Sequence, residues 1–331
     1  MSRTGNGHRK STAGHTDFRI PCGRMSSMSG RWADITLEFT PEGKSIDEHK
    51  FDKETRMKPI ILDKNYLQGT SQAKFQELSE QFQFIMPDVL FYELIKGHEP
   101  ARSRCFRKFY QKSNQILVPS VPELLRKELG THKSAGLPSE YLLPEESWQF
   151  NPELLEGTYI LTDDQKVEIR EIDAELDREA NRLMDFTDFE TLFPDLRTGT
   201  IEEREKYKSE CKQSIADNIE ELSNSLSKKF EPPYGATMPP KNILNKSWTL
   251  MRWFQIRLLF SLDIYDRYGA VDFSKWTQKQ KEKLKEEKIK HDVLDMWYMI
   301  LGVLQRSFAT KENKLIKLYN LLCPDGMLLT E

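Results

Sequence analysis

At 331 residues the chain is long enough for one large domain or two ordinary ones, and 38% hydrophobic residues suffice for a substantial core. Charged residues make up 31%, mean hydropathy is −0.65, and no apolar run approaches the ~18 residues that span a bilayer, so much of the chain reads as solvated helix and no membrane segment is expected. The net charge of −3 is unevenly shared: residues 151–230 carry 21 acids against 11 bases, about −10, which leaves about +7 elsewhere and keeps a nucleic-acid surface open.

Residues 1–55 read as a basic, largely disordered tail. Up to about position 30 they are rich in Ser, Gly, Thr and Arg, and residues 32–39 alternate through Ile35, Leu37 and Phe39 as an accessory strand would. Cys22, Cys105, Cys211 and Cys323 are scattered with no CxxC pair, against both a structural zinc site and a secreted disulfide scaffold. No hydrophobic signal segment opens the chain, so a cytoplasmic protein is expected.

Residues 58–67 form the stretch around which the rest of the chain is organised. Ile60, Ile61 and Leu62 form a short apolar run of the kind a strand buried on both faces uses, and the run ends on Asp63. In a parallel sheet the carboxyl ends of strands open onto the ligand crevice, so an acid there points at a site. A divalent cation is one natural partner for a carboxylate buried in that place. Asp63 as a cap of the next helix is an equally good reading of this fragment.

A helix is expected over 72–81, with Phe75, Leu78 and Phe82 on one side, then a strand at 84–86. After Pro87-Asp88 a helix carries Glu93 and stops at Gly97. Residues 101–113 hold Arg102, Arg104, Arg107, Lys108 and Lys112, no acid, and interleaved Phe106, Phe109 and Tyr110. A solvated basic face is the commoner outcome of such a pattern; a phosphate-facing surface is the sharper one. Residues 115–118 make a third strand.

Strand and helix thus alternate three times, the signature of an α/β fold with a parallel sheet. The alternation then stops. Residues 123–243 read as a helical, acidic insertion, with an exposed helix over 168–184, another over 202–230, and a break at Pro232, Pro233, Pro239 and Pro240. Its size suits gating of substrate, binding of a protein partner or self-association. A strong helix comes next over 248–268, closed by Gly269, then a Lys-rich surface helix over 275–290. The tail reads as a helix over 291–305 with Asp292 and Asp295 in its first turns, a short strand at 307–310, a helix over 314–322 and an edge strand at 327–329. Residues 56–122 and 244–331 then form one domain around the insertion.

Four places carry an acid where such a sheet opens: Asp63, Glu93, the pair Asp292 and Asp295 on one helix face, and Glu312. Converging carboxylates are stable as anions only with cations between them, and Mg²⁺ or Mn²⁺ takes all-oxygen ligands. Such ions can activate water and stabilise the leaving oxygen of a phosphodiester. Each acid also has a plain alternative: Asp292 and Asp295 suit a helix N-terminus, and Glu93 and Glu312 suit a surface. The joint pattern is what points to a site.

Asp63-Lys64-Asn65-Tyr66-Leu67 after Pro59-Ile60-Ile61-Leu62 resembles the first motif of the PIN-domain nucleases, Asp-x-Asn-x-Leu at the end of the first strand. The stretch from Pro87 through Glu93 to Leu94 resembles their second motif, the one from Asp292 to Leu301 their third, and Ala309-Thr310-Lys311-Glu312 their fourth, usually Thr-x-Asp. Asp295 and Glu312 are 17 residues apart and the order is right. The resemblance covers about 58–122 and 244–331. It implies an α/β/α sandwich with a central parallel sheet and a metal-dependent endoribonuclease. It further implies Asp63, Glu93 and Asp295 as ligands of Mg²⁺ or Mn²⁺, Asp292 as an alternative ligand, and Glu312 as a weaker or water-mediated one. Asn65 and Thr310 would orient carboxylates or bind phosphate, and Arg102, Arg104 and Lys108 would hold the RNA backbone. The sequence departs from the family in having Glu at 312 and in the size of its insertion. Both features also suit a catalytically weak PIN-like scaffold. A phosphohydrolase of the Asp-x-Asp type is disfavoured by Asn65.

Overall fold

A computed structural model of the chain describes residues 57–109, 115–117, 119–143, 150–184, 193–229, 236–269, 271 and 275–331. The tail read over 1–55, its accessory strand, Tyr110, Lys112, Val118, Pro232 and Pro233 lie outside those residues.

The apolar run forms β1 (Lys58–Leu62), whose Ile60, Ile61 and Leu62 are wholly buried. The short helix α1 (Lys64–Gly69) and α2 (Gln72–Ser79) carry the chain to β2 (Phe82–Met86). Helices α3 (Asp88–Ile95) and α4 (Ala101–Lys108) precede β3 (Gln115–Ile116). Then come α5 (Val121–Thr131), α6 (Pro152–Glu156), α7 (Asp163–Leu183), α8 (Ile201–Asp217), α9 (Ile219–Lys229) and α10 (Thr249–Tyr268). The chain ends with α11 (Gln278–Leu284), a π-helical turn at Lys285–Ile289, α12 (Lys290–Gln305), β4 (Ser307–Ala309), α13 (Asn313–Leu322) and β5 (Met327–Leu329).

All five strands are parallel, in the order β3-β2-β1-β4-β5. The first three strands build outward from β1 in one direction and the last two in the other. By the right-handed rule for parallel strands the two sets of connections belong on opposite faces, and the place where a ligand crevice is expected is beyond the carboxyl ends of β1 and β4. Helix α12 packs along β1 and β4. Gly302 lets it come close: a Cβ there would stand 2.9 Å from the Phe308 ring.

Among the described residues between β3 and α10, helices α5, α7, α8 and α9 all touch α10, and α7 also touches α12. The helix read as exposed over 168–184 begins at Asp163, behind a capping box of Thr162 and Gln165, and buries Ile169, Ile172, Leu176, Ala180 and Leu183. These recur every three or four residues, so one stripe is core while the acids cover the rest. The single helix expected over 202–230 is two, broken at Asn218, whose ψ of 65° leaves the helical range. Glu128 on α5 ties this region to the core. Its side chain is wholly buried. It accepts the backbone N–H of Ala135 at 2.9 Å and those of Thr249 and Leu250, the first residues of α10, both at 2.8 Å. A carboxylate from one helix thus closes the N-terminus of another.

Among the described residues no helix is long and apolar enough to cross a membrane.

Candidate functional site at the switch point of the sheet

Asp63 directly follows β1 and Thr310 directly follows β4, and the register pairs Leu62 with Ala309 just before them. Asp63 N–H donates to the Ala309 carbonyl at 3.0 Å, so the two chain ends leave the sheet side by side. The Thr310 hydroxyl donates to Asp63 Oδ2 at 2.6 Å, and Asp63 Oδ1 accepts the Asn65 amide at 3.3 Å. Asp63 therefore caps α1, and it stands at the carboxyl end of β1 beside the end of β4. It is 2% exposed and, among the described residues, has no ion-pair partner. Burial, with the charges of Glu93 and Glu312 adding to it, pushes its carboxyl from 3.8 up to about 6, although the bonds from Thr310 and Asn65 pull it down.

Glu93, on α3, accepts Lys64 Nζ at 2.9 Å through Oε1 and the Tyr298 hydroxyl at 2.8 Å through Oε2. Glu312 accepts Asn65 Nδ2 at 2.9 Å. Asp295, one of the acids on α12, has its carboxyl pushed well up by burial and then by the negative charge of Glu312; the charges of Asp63 and Asp292 add to this, and Lys314 opposes it. The Lys314 ammonium is 3.9 Å away. Asp63, Glu93, Asp295 and Glu312 thus lie in one another's fields, across 249 residues of sequence.

Asp292 is placed differently. It pairs with Arg267 at 2.7 Å and with Lys314, so its charge is balanced within the protein. The helix-dipole reading of Asp292 and Asp295 does not hold, because α12 continues without a break from the π-helical turn and has no free N-terminus. The basic residues of α4 divide. Arg102 bonds Glu99 at 2.6 Å and the Tyr159 carbonyl at 3.1 Å, joining α4 to the chain before α7. Lys108 donates to the carbonyls of Leu67 and Thr70 at the end of α1. Arg104 is exposed.

Tyr298, Lys64 and Lys314 are parts of the site that the four acids alone do not reveal. Tyr298 is wholly buried three residues after Asp295 on the same face of α12, so a polar group within the run Met296–Leu301 was the available signal. Burial and the nearby charges of Glu93 and Asp63 raise its phenol, which keeps it a hydrogen-bond donor. Tyr298→Phe removes a buried bond to a charged group. We expect a loss of about 1.5–3 kcal/mol in chemical denaturation, and a melting curve superimposable on wild type would contradict the placement.

The donor set is all oxygen, which suits a hard divalent cation. As the side chains stand, no group of three His, Cys, Asp or Glu among the described residues is drawn together around one point. Lys64 neutralises Glu93 as a cation would, while Asn65 only donates a neutral hydrogen bond to Glu312.

Fold and site together define an α/β protein with a group of acids at the switch point of a parallel sheet. Comparison with family models, with curated proteins and with solved structures finds no match.

Proposed function

We propose that this chain is a PIN-like, metal-dependent endoribonuclease. The observation that carries the reading is the meeting of Asp63 and Thr310 at the switch point, with Glu93, Asp295 and Glu312 in the same field. Asp63, Glu93 and Asp295 would hold Mg²⁺ or Mn²⁺, with Glu312 as the weaker member. When bound, the cation supplies an activated water and stabilises the leaving oxygen of the phosphodiester.

The chain's own residues do the positioning. Thr310 fixes the Asp63 carboxylate, Tyr298 and Lys64 fix Glu93, and Asn65 fixes Glu312. Lys314, already committed to Asp292, tempers the charge on Asp295 without closing a tight pair. Asp292 serves as an anchor for Arg267 and Lys314 in this reading, not as a ligand.

The test is cleavage of a labelled single-stranded RNA by wild type in Mn²⁺ and in EDTA, with melting measured in both. Cleavage in Mn²⁺ alone is expected. So is a Mn²⁺-induced stabilisation of about 2.7 kcal/mol at a hundredfold excess over Kd, because a ligand of the folded state alone stabilises by mass action. The separation of the acids as they stand favours one second reading, a catalytically weak binding module of the same fold. RNA binding without cleavage in any divalent ion would select it.

A further inference from the structure

A cleft of about 540 Å³ opens where α1 ends and α2 begins, lined by Gly69, Thr70, Ser71, Arg104 and Lys108 among others, and no acid lines it. The clefts beside α8 and beside α7 differ, being lined in part by Asp263 and by Asp163 and Asp164. Lys311 packs on Gly69 at the edge of this basic cleft, on the side of the acids. It lies in sequence between Thr310, bonded to Asp63, and Glu312, bonded to Asn65. Its stem lies against Gly69, where a Cβ would meet Lys311 Cδ at 3.0 Å, and its ammonium stands 5.6 Å from the centre of the Tyr66 ring.

The cleft is also prepared for an anion. Lys108, whose ammonium closes the last carbonyls of α1, has a third N–H that those two bonds do not use. Its pKa is held down first by burial and also by the charges of Arg104 and Lys311, with Cys105 acting the other way, so these three cations lie in one another's fields. The Thr70 hydroxyl lies near the Tyr66 phenol, yet it is buried and makes no well-formed hydrogen bond. Ser71 caps α2, which sets the positive end of that helix at the cleft. The acids alone would repel a polyanion, and a cationic patch within reach of the same strand offsets that repulsion.

We propose that this cleft holds a backbone phosphate of a polynucleotide strand whose neighbouring phosphodiester lies at the acids, with Arg104 and Lys311 as its contacts. The proposal rests on the nuclease reading of the acids at the switch point and adds where the substrate strand runs.

Binding of a labelled single-stranded RNA, followed by fluorescence anisotropy in EDTA, tests it with Arg104→Gln, Lys311→Gln and the surface control Lys279→Gln. Each of the first two should weaken binding about fivefold at 0.1 M salt and reduce the slope of log K against log salt by about 0.7, the single-strand value for one lost phosphate contact. Lys279→Gln should bind as wild type. Equal affinity in all four proteins, or no more loss in Arg104→Gln and Lys311→Gln than in the control, overturns the cleft assignment. So does complete displacement of RNA by millimolar inorganic phosphate, which would mark a site for the free ion. Parallel cleavage assays in Mn²⁺ separate the two ideas. Weakened binding in Arg104→Gln with no cleavage by any protein keeps the cleft and removes the nuclease reading. Cleavage by wild type with unaltered binding in both variants keeps the nuclease reading and removes the cleft.

Discussion

Asp63→Asn should abolish Mn²⁺-dependent RNA cleavage and at the same time raise the stability of the metal-free protein at pH 8. The loss follows from removing the one acid that both ends β1 and pairs with Thr310; we expect a fall on the order of 10³-fold, the range reached when one group that stabilises developing charge is lost. The gain follows from the direction of the shift. Burial and the neighbouring acids raise the Asp63 carboxyl from 3.8 to about 6, so the folded protein prefers it protonated. Stability from that preference is complete below the unfolded value and is lost as pH rises through about 6. At pH 8 the folded state carries an ionised group that it disfavours by about 3 kcal/mol, the equivalent of a shift of about two units. An Asn there still accepts from Thr310 and removes the charge. The difference between mutant and wild-type melting temperatures should therefore shrink from pH 8 to pH 4. A mutant less stable than wild type at pH 8, or one that still cleaves, would contradict the role given to Asp63.

Glu128→Ala should be the most destabilising single substitution outside the candidate site. Three buried backbone N–H groups, of Ala135, Thr249 and Leu250, lose their acceptor together. Each unsatisfied donor costs about 1–3 kcal/mol, and a total of about 3–5 kcal/mol allows for partial relaxation of the start of α10. Glu128→Gln keeps one acceptor oxygen but turns an amide N–H₂ toward a backbone N–H, so it should also destabilise, by less. Chemical denaturation of both variants is the measurement. A change below about 0.5 kcal/mol in the Ala variant, the usual size for a surface site, would show that the insertion is not anchored in this way.

Much of the sheet and the position of each acid could be read from local pattern. Three consecutive apolar residues followed by Asp63 mark a buried strand end, and Glu93 follows the next such run at the spacing of one helix turn or two. Glu312 stands just past a strand short enough to be missed, and Ser307–Ala309 was legible because a strong helix leads into it and another follows. What could not be read depends on partners distant in sequence. Asp292 looks like Asp295 on a helical wheel, and only Arg267 from α10 and Lys314 from α13 set it apart. Arg102 and Lys108 belong to an acid-free basic stretch, yet both hold backbone carbonyls of neighbouring elements. Glu128 sits among Arg126, Lys127 and Gly130 and reads as a surface acid; the three amides it serves lie at Ala135 and, more than a hundred residues on, at the start of α10. The break at Asn218 has neither Pro nor Gly to announce it.

The central claim is that Asp63, Glu93, Asp295 and Glu312 are the ligands of one divalent centre. Crystals of wild type grown with Mn²⁺ and measured at a wavelength where manganese scatters anomalously test it most directly. The account predicts an anomalous peak in contact with Asp63 and at least two of the other three acids, with Glu93 drawn away from Lys64. A switch point without a peak, or a peak held elsewhere while Lys64 and Asn65 keep Glu93 and Glu312, would contradict it.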